Sequence, residues 1–161
     1  MPHKRYARFV VAAALALLGA CGRSPAPPSS SGNEAMQEAT LRTGDVVVRA
    51  NAMPTQSLGD AVARQYGIER DDKTVLLLVG VRRGTDAQET ALPARIDATA
   101  TDLMGHRQDI ALREVRSGDF IDYVGTARVI PPDTLRFELQ IALEGKSWGT
   151  LRFNRDFFPQ R

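Results

Sequence analysis

The chain has 161 residues, 21 Lys and Arg against 19 Asp and Glu, a formal charge of +2, a single cysteine and two histidines. One cysteine excludes a disulfide or a multi-cysteine metal site within one chain, and so few histidines leave little for acid–base chemistry. Lys4, Arg5 and Arg8 open the chain with no acid among them, so the charge falls from +2 to −1 once they are removed, which gives no basis for nucleic-acid binding.

In chain order, the basic start is followed by Phe9 to Ala20, an apolar run that ends in small residues just before Cys21. This is the n-region, h-region and cleavage-site order of a secretory signal peptide over 1–20. Its apolar run makes a helix of about 18 Å against a hydrocarbon core of roughly 30 Å, too short for a transmembrane anchor. Residues 21–40 read as a flexible tether. Pro25, Pro27, Pro28, the run Ser29-Ser30-Ser31 and Gly32 offer no apolar face whose burial would offset the entropy of ordering.

From Leu41 to Arg161 the pattern is that of one domain with period-two alternation and frequent turn signals. Asp45 to Ala52 is a first strand, and Val75 to Val81 is a continuous apolar run suited to a strand buried on both faces. Ala94 to Leu103 alternates, with Ile96, Ala98 and Ala100 on one face; Gln108 to Arg116 follows, with Ile110 and Leu112 inward. Phe120 to Val129 ends at Pro131-Pro132-Asp133, and Thr134 to Leu143 places Leu135, Phe137, Leu139, Ile141 and Leu143 on one face. Glu144-Gly145-Lys146-Ser147 turns into Trp148 to Phe158, with Leu151 and Phe153 inward. Between the first two strands, Ser57 to Ile68 carries Leu58, Ala61, Val62 and Tyr66 at helical spacing, with Ser57 as N-cap and Gly67 as the stop. The expected fold is all-β: an immunoglobulin-like antiparallel sandwich of about seven strands, with this short helix plugging one open end.

Two resemblances add to this reading. Leu18-Gly19-Ala20-Cys21 resembles the lipobox of bacterial lipoprotein precursors. That implies cleavage before Cys21, lipidation of its thiol and acylation of the new amine, which is stable anchoring because it takes more than one acyl chain. Gly22 rather than Asp after the cysteine implies, by resemblance to Gram-negative sorting rules, the outer membrane and its periplasmic face. From Gly44 onward the chain resembles the bacterial family catalogued as domain of unknown function 4426. The resemblance is carried by Gly44-Asp45, Asn51-Ala52-Met53-Pro54-Thr55, Val62 to Ile68, Ala98 to Gly105, Gly118-Asp119-Phe120, Leu135-Arg136-Phe137 and Phe157-Phe158. It implies a small exported β domain of Gram-negative bacteria and brings no activity with it.

Without the leader, one histidine remains, and the metalloprotease, serine-hydrolase, phosphate-loop and EF-hand spacings are all missing. Met104-Gly105-His106, with Met53 from another loop, offers a thioether and imidazole set of the kind that takes Cu(I). The plainer reading is a solvent-facing histidine in a hairpin and methionines that fill gaps, and in the family the position of His106 is more often Gln. Arg82-Arg83 suits an anion or, more simply, a solvated strand end. Asp97, Asp122 and Glu138 read as partners for cross-strand arginines rather than a glycosidase pair, and Trp148 reads as a cap on the core. The resulting expectation is a non-catalytic, lipid-anchored envelope module with no cofactor and no catalytic residues. Its partners would be the membrane, through Cys21, and another envelope protein. A periplasmic soft-metal or small-ligand carrier is the alternative.

Overall fold

The computed structural model describes residues 38–85 and 88–159. The signal peptide, Cys21 and almost all of the tether lie outside them. Among the described residues no helix is long and apolar enough to cross a membrane.

Among the described residues ten antiparallel strands form two sheets. They are β1 (Ala39–Thr43), β2 (Val46–Pro54), β3 (Thr74–Thr85), β4 (Gln88–Ala91), β5 (Arg95–Thr101), β6 (Arg107–Ile110), β7 (Arg113–Ser117), β8 (Phe120–Arg128), β9 (Asp133–Leu143) and β10 (Lys146–Phe157). The larger sheet runs β1-β2-β3-β8-β7, with β4 also on β3, and the smaller runs β10-β9-β5-β6. This is the expected antiparallel sandwich, with three more strands than the alternation revealed. The core lies between the sheets. Val75, Leu77, Val79 and Val81 of β3 face Leu135, Phe137, Leu139 and Ile141 of β9, all of them buried. Phe137 stacks on its cross-strand partner Phe153 with ring centroids 4.9 Å apart, and the Ala94 amide donates to the Tyr123 hydroxyl at 2.7 Å.

Several boundaries differ from the sequence reading. The tether does not reach Thr40, because Ala39 and Leu41 already pack on the core while β1 pairs with β2. Gln108 to Arg116 is two strands in different sheets, β6 and β7. Ile110 and Leu112 both pack on the shared core, so their alternation continues unbroken through a change of sheet. The crossing runs over Gly125 of β8, where a Cβ would lie 2.7 Å from the Ala111 carbonyl oxygen and 2.7 Å from Ile110 Cγ2. Only glycine leaves room for that crossing.

The helix is shorter than expected. It is α1 (Asp60–Tyr66), entered from Gly59 without a side-chain cap and ended by a left-handed Gly67. Ser57 belongs instead to a 3-10 turn, Thr55–Ser57. The local bonds explain this. Thr55 Oγ1 donates to the Asp71 carbonyl and accepts from its amide, at 3.1 and 3.0 Å, while the Arg70 guanidinium pairs with Asp60 and with the Gln56 carbonyl. The helix does not plug an open end either. It lies on the outer face of the larger sheet, where Leu58 and Ala63 form a second small core with Leu76 and Val124. Val62, expected to face inward, is 40% exposed. Burial of both faces of β3, as its apolar run predicts, is completed by this helix.

Candidate functional site

Of the residues singled out in the sequence, Met104 and His106 lie at one end of the sandwich, where the β5–β6 turn meets the β8–β9 connection. Asp102 organises the turn. Its Oδ1 accepts from the His106 amide at 2.8 Å, its carbonyl accepts from Gly105 at 3.1 Å, and its amide donates to the His106 carbonyl at 3.1 Å. Gly105 sits at φ +88, a conformation that side-chain-bearing residues avoid. The result holds Leu103 and Met104 out at the tip. His106 Nδ1 lies 2.9 Å from Asp102 Oδ2; with Nδ1 donating there, Nε2 is the ring nitrogen left open. Partial desolvation works upward on the Asp102 carboxyl, but the bonds from the His106 ring and backbone outweigh it and hold the pKa below the ordinary carboxylate value.

Across from this turn, Val129 and Ile130 leave β8, and the Asp133 carboxylate accepts from the Thr134 amide at 2.7 Å and from the Leu103 amide at 3.4 Å. The two connections enclose an open groove of about 580 Å³ that includes Leu103, Met104, Ile130 and Pro132, rimmed by Asp102, His106, Arg107, Arg128 and Asp133. Leu103, Met104 and Ile130 are 70%, 82% and 77% exposed. Three large apolar side chains left in water on one groove are unusual for a surface that has no partner.

The other residues singled out in the sequence do not join this groove. Met53 packs with Leu58, Ala63 and Leu76 beneath α1, so the Met53, Met104 and His106 set is not assembled. Among the described residues no three His, Cys, Asp or Glu side chains converge as a metal site. Arg82 is committed within the fold: it donates to Asp122 Oδ1 at 2.6 Å and to the Ile121 carbonyl at 2.7 Å, and lies over the Phe120 ring. Arg83 pairs loosely with Asp45 at 3.6 Å. Glu138 takes Arg152 of the neighbouring strand at 2.8 Å, a bond that together with Gln140 lowers its pKa. Asp97 lies 3.5 Å from Arg95 on its own strand. Asp122 and Glu138 therefore pair with arginines across strands, as the sequence reading expects, whereas Asp97 has only the loose contact within its own strand. Trp148, at a bulge between β9 and β10, packs on the core. Leu103 and Ile130 were missed. The available signal was an apolar pair at a hairpin tip and an isoleucine placed directly before two prolines.

Comparison with known proteins agrees with the fold. No curated protein matches the chain in sequence. A crystal structure of a DUF4426 family protein from Pseudomonas aeruginosa PAO1 is similar with a TM-score of 0.64 and 23% identity, over 77% of this chain and 97% of that one. FetP from uropathogenic E. coli, recombinantly expressed in the periplasm, is similar at a TM-score of 0.51 and 10% identity, over 78% and 97%. A copper-bound variant of FetP reaches 0.48 at 10% identity, over 77% and 98%. For the first two, at these identities, the likeness is one of fold. The sequence model of the family described as Domain of unknown function (DUF4426) matches residues 40–160, which spans the sandwich from β1 to the end of β10. The chain belongs to the DUF4426 family.

Proposed function

We propose that the protein is a lipid-anchored, non-catalytic module of the Gram-negative cell envelope that holds another envelope protein in the groove between residues 102–106 and 129–133. Cys21, behind its signal peptide and lipobox, is the attachment point, and the outer membrane facing the periplasm is the location this reading assigns. The observation that carries the binding role is the exposure of Leu103, Met104 and Ile130 on one groove. Burying one such side chain contributes about 1.5–3 kcal/mol. The charged rim around them would fix orientation rather than supply most of the affinity.

The anchor and the groove are tested separately. Mass spectrometry of the membrane fraction should find a chain that begins at acylated Cys21, and Cys21→Ala should accumulate as precursor; a soluble product cut elsewhere contradicts the anchor. For the groove, a partner retained by the wild type in an affinity pull-down should be lost at least tenfold with Leu103→Asp or Ile130→Asp. Val62→Asp, on the exposed side of α1, should retain it. Equal retention by all four proteins contradicts the groove as the contact.

A further inference from the structure

The groove continues into an open stretch of sheet edge. β7 pairs with β8 only as far as Arg113 opposite Val124, because the chain before it crosses to the smaller sheet. Beyond that point, among the described residues, β8 has β3 on one side and no strand on the other. Backbone groups alternate between the two sides of an antiparallel strand. The Arg128 amide and carbonyl point away from β3 and are taken by the Gln108 side-chain amide, at 2.7 and 2.8 Å. That amide stands in for one peptide unit of an absent neighbour. By the same alternation the amide and carbonyl of Thr126, an exposed residue, point to the open side.

A second groove, of about 620 Å³, runs along this edge past Thr126 and Arg128. It shares Gln108 and Arg128 with the apolar groove at the end of the sandwich, so the two adjoin at the Gln108–Arg128 bonds. Glu69, Asp71 and Asp109 line the edge groove and Asp102 and Asp133 the apolar one. The guanidinium groups in the same linings are those of Arg107, Arg113 and Arg128, and His106 is paired with Asp102, so carboxylates outnumber guanidinium groups.

We infer that the partner enters as an extended, net basic segment that adds to the open edge of β8 at Thr126 and seats an apolar side chain against Leu103, Met104 and Ile130. This rests on the groove reading above and specifies its chemistry. Main-chain bonds to Thr126 give affinity and the apolar groove gives selectivity, which is the division of labour in strand addition. Displacing the Gln108 amide would extend the pairing to Arg128.

The test uses the full-length protein and a random dodecapeptide display library. Selected peptides should be basic with an apolar residue, should slow amide exchange at Thr126 at least tenfold, and should lose at least tenfold in affinity with Leu103→Asp and with Thr126→Pro but not with Thr126→Val. Peptides lost with Leu103→Asp but retained by Thr126→Pro, with Thr126 exchange unchanged, overturn strand addition and leave the groove reading standing. If Thr126→Pro fails to fold, exchange at Thr126 in the wild type decides. Peptides indifferent to Leu103→Asp, or no selected peptide at all, overturn both. Concentration-dependent protection of Thr126 in the protein alone gives the edge to a second copy of this chain and overturns the assignment to a partner.

Discussion

Replacing Phe137 with alanine is expected to remove about 3–5 kcal/mol of folding stability, a large share of the roughly 5–15 kcal/mol that a domain of this kind has. Phe137 is wholly buried at the middle of β9. Its ring stacks on Phe153 across the β9–β10 ladder, and on the other side its strand partner is Ala100. The small alanine cannot grow into the vacancy, and the flanking strands are held by their ladders, so a cavity remains. Denaturant unfolding should show a much lower midpoint with an unchanged slope. A loss under about 1 kcal/mol would mean that the two sheets repack freely and that the core is looser than described.

Gly125→Val is also expected to be destabilising, though less so, and for the opposite reason. A side chain at this position meets the Ala111 carbonyl oxygen at 2.7 Å and Leu112 Cδ2 at 3.0 Å, and the first of these is backbone that cannot rotate aside. Overpacking of this kind costs about 1–3 kcal/mol, and here it also pushes on the segment that carries the chain from one sheet to the other. The variant should melt lower, with amide exchange accelerated first in β6 and β7. A Gly125→Val protein as stable as the wild type would contradict the close crossing.

Much of the fold is legible in the sequence because period-two burial is a local signal. Leu135, Phe137, Leu139 and Ile141 alternate with polar residues and are buried as that pattern requires, and the unbroken apolar run of β3 is covered on both faces. The short edge pieces were not legible. β4 is four mostly polar residues, and a visible tie is the pair of hydrogen bonds that the Arg49 guanidinium donates to the Glu89 carboxylate at 2.8 and 2.7 Å, a contact between distant positions that no periodicity encodes. The change of sheet after Ile110 was hidden for a related reason: the inner faces of both sheets share one core, so the inward phase does not change. The groove was the least legible feature. Leu103 and Ile130 are apolar residues in connections, and only the tertiary arrangement shows that they meet at one end of the sandwich instead of packing inside it.

Contact between this end of the sandwich and another envelope protein can be checked by site-specific photo-crosslinking in living cells. A photoreactive phenylalanine analogue placed at Met104 or at Ile130 of the full-length protein should give one discrete higher-mass adduct on irradiation. The same analogue at Val62 should give none. Absence of an adduct at both groove positions, or an equal adduct at Val62, would rule out this groove as the contact.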